Sequence, residues 1–265
     1  MNLATDLAAW RAPVSFGVLA LLLVWESVHP FFGFFSKGPR RLRWRLLHGL
    51  TNLGFGLLNG LAIRFVFLAL WVRTMQWAAA HGFGVLHWLA APEWLRWALA
   101  LLLLDAWTYW WHRLSHIVPF FWRFHRLHHS DRRMDVTTAN RFHLGEITLS
   151  SLLRVPVLAL IGCGLEQLAL YELLLFAVVQ FHHANIGLPE RLDRALRWVI
   201  VTPHLHKVHH SVVHTEQNSN FSSLFSWWDR LARTLRLSHD PRRIAFGLDP
   251  AGAETDVKQP VSSRR

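Results

Sequence analysis

The chain has 265 residues, of which 52% are hydrophobic and only 17% charged, whereas a soluble domain usually carries about 25% charge. Its net charge of +11 is no nucleic-acid signature, because basic residues such as Lys37, Arg40, Arg41, Arg43 and Arg45 flank an apolar run and no nucleic-acid motif accompanies them. A lone Cys163 excludes an internal disulfide and a Cys-x-x-Cys metal site, and fifteen Trp suit aromatic belts at two lipid interfaces.

Residues 1–13 lack a basic stretch and a small-residue cleavage site, so the first apolar run, roughly 14–35, is expected to remain as a span closed by Lys37-Gly38-Pro39. The second run covers about 53–72. A Trp-, Ala- and Gly-rich connection containing Pro92 follows, and the third run starts near Trp94 and continues through LALLLLDAWTYWW. Each is long enough for a hydrocarbon core of about 30 Å. Two shorter runs, about 147–161 and 165–181, are joined by Gly162-Cys163-Gly164 and read as a helical hairpin of tilted or re-entrant segments. No later run is long enough to span. The polar stretch from Asp240, with Pro241, Pro250 and Pro260, is expected to be loosely ordered. The expected organisation is all-α: membrane spans over 1–100, a catalytic region over 101–239, and a polar tail over 240–265.

Between and after these runs lie three histidine clusters. His112 and His116 stand in HRLSH, His125, His128 and His129 in HRLHHS, and His206, His209 and His210 in HKVHHS. On a helix, positions i, i+3 and i+4 share a face, so each cluster presents its imidazoles together. Imidazole suits iron, zinc and copper, and three such faces can enclose more than one ion. Counting spans gives an independent test. The basic run puts the first loop in the cytoplasm, and every histidine cluster then emerges on that same face. The expected architecture is an integral-membrane helical bundle, in a bacterial inner membrane, with a cytoplasmic helical cap over a dinuclear metal site.

The segments DAWTYWWHRLSH, WRFHRLHHSD, NRFHLGE, FHHANIG, TPHLHKVHHS and NSNFSSLFSWWDRL resemble, in order, the signatures of the fatty acid hydroxylase/sterol desaturase superfamily, over about 100–235. The resemblance implies a membrane-bound, non-haem di-iron enzyme that hydroxylates or desaturates a lipid with O2 and electrons from a separate donor. Position by position it implies His112, His116, His125, His128, His129, His206, His209 and His210 as ligands, with His143 and His183 as additional histidines. His182 adjoins His183 at about 100° on a helix and is expected to face away. Two departures stand out. Leu144 replaces a frequent Pro, and Ala232 and Arg233 replace the usual Phe and Gly, which bears on subfamily more than on chemistry.

Asp105, Tyr109, His112 and His116 step down one helical face, so Asp105 is expected to accept the second N–H of a ligating histidine. Asn185 and Asn220 are weaker candidates for the same role, as are Glu146 and Asp229. His29, His48, His81, His87, His204, His214 and His239 read as interfacial or core residues. The implied cofactors are two Fe ions, with Zn able to occupy the same ligands, and O2 as co-substrate. The implied partners are a bilayer lipid and a cytochrome b5-like or ferredoxin-like donor, since no such segment is recognised in the chain. A histidine-rich metal transporter is disfavoured because transporters place ionisable ligands near the bilayer midplane. A zinc hydrolase is disfavoured because HRLSH carries Arg113 where a general-base Glu belongs.

Overall fold

The computed structural model describes residues 3–35, 39, 41–238 and 240–248, with side chains from residue 13 onward. Lys37, Gly38, Arg40 and His239 lie outside the described residues, as does everything after 248. Helix α1 covers Leu3–Val28. It ends at His29-Pro30, where proline pushes the preceding residue out of helical geometry. The expected run to 35 is therefore cut short, and its last aromatics turn inward: Phe32 and Phe34 meet the ring of Phe246 at 5.2 and 5.8 Å.

The second expected span is part of a longer rod. Helix α2 (Arg41–Ala62) passes through a wider π-turn at Ile63–Phe67 into α3 (Leu68–Ala80) without a break. At 1.5 Å per residue the rod reaches roughly 60 Å, about twice a hydrocarbon core. Its first half therefore lies beside the cap, where the Asn52 amide donates to Thr137 Oγ1 at 2.9 Å. Its second half runs along the hairpin, where the Trp71 indole donates to the Ser151 carbonyl at 3.0 Å.

A single turn, α4 (Val85–Trp88), leads to α5 (Glu93–Ile117), and α6 (Pro119–His129) follows directly, with proline at its first position. A 3-10 turn at Val136–Asn140 precedes α7 (Leu144–Ile161) and α8 (Leu165–His183), the expected hairpin. Gly162 turns it in the left-handed region, at φ 73°. Gly84 packs so close that a Cβ there would stand 2.7 Å from Gly162 Cα, which fixes the hairpin turn against the end of the long rod. The remaining helices are short: α9 (Glu190–Leu196), α10 (Pro203–His209), α11 (His214–Gln217) and α12 (Trp227–Leu231). No strand forms among the described residues.

Phe67, Trp71, Met75, Leu104, Leu158, Leu168 and Tyr171 form the main apolar core, between α3, α5, α7 and α8. Outward-facing residues are apolar as well; Phe65 is 73% exposed and Leu57 66%. An apolar face of that extent fits lipid, not water. The stretch Arg41–Trp88, α7 and α8 are each long and apolar enough to cross a membrane, and Pro13–Val28 of α1 is a shorter apolar helix. Helix α5 was expected as a span. It has the length, but it is not among the helices apolar enough to cross, and it is flanked by α6, α7 and α8. The expected division at 100/101 falls inside α5.

The start of the expected loose tail is also packed. Ile244 and Phe246 bury against Met134 and Val208, and Val212 N–H donates to the Ala245 carbonyl at 2.9 Å. Buried Glu26 ties α1 to the same end of the bundle, accepting backbone N–H bonds from Val136 at 3.0 Å and Asn185 at 2.9 Å.

Candidate metal centre

Helices α5, α6, α8 and α10 each bring histidines to the capped end of the bundle. The rings sort into two groups within metal-ligand reach of a common point. One holds His112, His116, His125, His129 and His209; the other holds His128, His183, His206 and His210. Helical geometry explains the repeated His-x-x-His-His pattern. In α6 the i, i+4 pair His125 and His129 enters the first group, while His128, turned 100° from His129, enters the second. In α10 the assignment is reversed: His206 and His210 pair in the second group and His209 crosses to the first. Two consecutive histidines on each helix thus serve two adjacent groups. The groups abut where the rings of His129 and His210 stack at 4.4 Å between centroids.

Four of the rings are oriented from behind. His112 Nδ1 donates to the Phe221 carbonyl at 2.8 Å, His209 Nδ1 to the Ser219 carbonyl at 2.7 Å, and His183 Nδ1 to the Val179 carbonyl at 2.7 Å. His125 Nδ1 donates to Glu146 Oε1 at 2.8 Å. These bonds select the tautomer whose Nε2 carries a lone pair, the usual arrangement behind metal-ligating histidines. In the first group Nε2 of His112, His125 and His209 is then left buried with no partner, as are both ring nitrogens of His116 and His129. In the second group the Nε2 atoms crowd one point: His183 to His128 at 3.1 Å, His206 to His183 at 3.0 Å, and His210 to His206 at 3.1 Å.

Buried imidazole nitrogens without partners are expensive, and lone pairs facing one another repel. A cation at each convergence point would take one nitrogen from each ring and end the lone-pair repulsion, so the donor set fits a metal. Charge on the rings is suppressed: burial first, then neighbouring imidazoles, hold His128, His129, His206 and His210 well below the ordinary histidine range. Burial takes His209 down to about 3. Neutral imidazole is the form that binds metal.

Nine of the ten candidate histidines fall in the two groups. His143 does not. It lies exposed at the start of α7, where its Nδ1 accepts from Gly145 N–H at 2.9 Å and its ring packs on Phe124. It caps a helix. His182, expected to face away, is buried, with its ring stacked on His206 at 3.9 Å and neither nitrogen partnered. The helical step of 100° turns it from its neighbour but leaves it beside the second group, because α10 crosses both positions.

Asp105 makes no bond to a histidine. It accepts from Trp228 Nε1 at 2.8 Å, Phe225 N–H at 3.0 Å and Tyr171 O–H at 3.2 Å, so it pins the 222–228 segment to the bundle. Asn185 instead exchanges two bonds with the Phe32 backbone. Asn220, at φ 52°, donates to the Leu205 and Arg236 carbonyls. Both asparagines shape loops around the groups without touching them. Asp229 acts one step further back, accepting from Phe221 N–H at 2.8 Å and Ser222 N–H at 2.9 Å, and so holds the carbonyl that orients His112. Among the weaker carboxylate candidates, Glu146 is the one on a histidine.

The sequence pattern described as fatty acid hydroxylase matches residues 97–234, more than half the chain, and includes every histidine of the two groups. This chain belongs to the fatty acid hydroxylase family. Three curated relatives are distant. An ornithine lipid hydroxylase of Rhizobium tropici is 29% identical over 169 residues, covering 63% of this chain and 50% of the relative. Cholesterol 25-hydroxylase of Rattus norvegicus is 25% identical over 154 residues, 57% of this chain and 50% of the relative. Human alkylglycerol monooxygenase is 26% identical over 154 residues, 57% of this chain and 33% of the relative. The chain thus spans half or less of the length of these relatives, and no solved structure matches it.

Proposed function

We propose that this chain is an O2-dependent membrane hydroxylase that inserts oxygen into a C–H bond of a lipid. The observation that carries the proposal is the pairing of two adjacent all-histidine groups with a cavity of about 330 Å3 that opens on His112, His128, His183 and His206. Its walls include Ile63, Trp107, Trp111, Leu175 and Phe176, drawn from the long rod, α5 and α8. Moving an aliphatic chain into water costs about 0.8 kcal/mol per CH2, so a lipid reaches such a cavity from the bilayer. The three relatives are named for a hydroxylase or monooxygenase reaction on a lipid or sterol, which supports hydroxylation over desaturation.

The group we assign to the histidines is a pair of iron ions. Imidazole binds zinc equally well, but zinc has no redox chemistry. Bound iron would supply the electron transfers through which O2 attacks an unactivated C–H bond. The protein's part is to aim the imidazoles, through Glu146 and the carbonyls of Phe221, Ser219 and Val179, to keep those of α6 and α10 neutral by burying them, and to keep water away from the reacting end of the cavity. The balance is one lipid C–H, one O2, two electrons and two protons to one C–OH and one water. The two electrons come from a separate acidic carrier, cytochrome b5-like or ferredoxin-like. Exposed Arg123 and Arg126 lie on α6 beside Trp122, whose ring sits 5.2 Å from that of His116 and 5.6 Å from that of His129. Charge complementarity of this kind speeds docking.

Two measurements follow. Membranes holding the protein and a reductant, exposed to isotopically labelled O2, should yield a lipid product carrying one labelled oxygen. A product labelled only from water would sink the hydroxylase reading. We also place the capped end in the cytoplasm of a bacterial inner membrane. A cysteine substituted for exposed Arg132 should resist an impermeant thiol reagent added to intact cells, while native Cys163 stays silent because it is 2% exposed. Ready labelling from outside would invert the topology.

A further inference from the structure

At the cavity's far end from the histidines lies an ion pair that the oxygen chemistry does not use. Arg154, from α7, pairs with Glu172 Oε1, from α8, and both line the cavity. Neither is sealed, with side chains 15% and 18% exposed. The guanidinium also lies over the Trp71 ring at 4.9 Å. Both residues sit well inside helices apolar enough to cross a membrane. Ionisable side chains at such depth are rare and generally functional. As a mere clamp between the two arms the pair would be a poor choice, since apolar residues of similar volume serve as well or better in that position.

We propose that Arg154 and Glu172 form a subsite for an uncharged hydroxyl on the lipid, and so set which carbon meets the metal centre. The inference rests on the hydroxylase reading above. The pair is neutral as a whole, so a carboxylate or an ammonium on the ligand would bring an extra charge to membrane depth, where charge is costly. A hydroxyl can donate to the Glu172 carboxylate and accept from an Arg154 N–H together, leaving the pair intact. Thr108 and Ser150 also line the cavity, with Ile63, Trp107, Leu175 and Phe176 supplying the apolar wall that an alkyl segment requires.

Spacing gives the ruler. Glu172 precedes His183 by eleven residues of α8 and Arg154 follows Glu146 by eight residues of α7, distances of roughly 12–16 Å along the helices. A hydroxyl at the pair therefore puts at the histidines a carbon on the order of ten C–C bonds away, each about 1.5 Å long.

The test is binding, which needs no turnover. Protein in lipid nanodiscs is titrated with tritiated hexadecanol and, separately, with tritiated heptadecane, which replaces the hydroxyl by a methyl. Wild type should hold the alcohol roughly tenfold more tightly, as expected for a hydrogen bond to charged groups. In the double variant Arg154→Met/Glu172→Met the ratio should fall to about one, with heptadecane binding and the thermal midpoint retained. Should the double variant not fold, Arg154→Lys keeps the ion pair but loses the planar fork of donors, and the ratio should fall severalfold. A ratio near one in wild type overturns the proposal, as does a ratio unchanged by whichever variant folds. Labelled-oxygen incorporation in wild type is scored separately, so loss of the hydroxylase reading and loss of the subsite leave different results.

Discussion

Alanine in place of His128 or of His209 is expected to lower turnover by more than about 100-fold, beyond the usual loss from an outer-sphere partner, while helix content and membrane insertion stay intact. The two residues stand in different groups, on different helices, so either loss strips a nitrogen from one convergence point and leaves the other complete. Metal content should fall in both variants. His143→Ala is the control: its ring caps α7 on the surface, away from both groups, and metal content and turnover should match wild type. Activity retained by both His128→Ala and His209→Ala would remove the histidine groups from the chemistry.

The second large effect is expected at Glu146, which is buried and meets His125 Nδ1. Glu146→Ala takes away the acceptor that fixes the tautomer and ring angle of His125. Metal affinity should drop by about 10–100-fold, the range usual for such partners. Glu146→Gln keeps an oxygen acceptor at the same place and should recover most of the affinity, separating ring orientation from charge. Competition against a chelator of known affinity reads both. Equal affinities for wild type and Glu146→Ala would mean that packing alone holds His125.

Why the sequence disclosed so much of this site follows from where its information lies. The i, i+3 and i+4 spacing in α6 and α10 is local, and local helix geometry alone puts those imidazoles on shared faces. The hairpin was readable for a similar reason: two apolar runs around Gly162-Cys163-Gly164 leave the chain few other options. Division of the histidines into two groups was not readable, because it depends on how α5, α6, α8 and α10 cross. His182 was missed on that account, and no signal in FHHANIG distinguishes a neighbour that turns away from one met by a second helix.

Asp105 failed for a complementary reason. Its helical register with His112 is real, but partners from the 222–228 segment, some 120 residues away, satisfy the carboxylate first. Backbone carbonyls such as those of Phe221 and Ser219 carry no side-chain signature, so most of the orienting contacts were invisible before the fold. His143 was expected through resemblance alone, and in the structure its contacts are local ones, with Gly145 and Phe124.

If the two histidine groups hold redox-active metal for oxygen chemistry, protein taken from its native membrane without added metal should carry about two iron ions per chain. With lipid and reductant present it should take up O2, and chelating the iron should abolish that uptake. A single zinc ion per chain, with no O2 uptake under any reductant, would take the two groups out of redox chemistry.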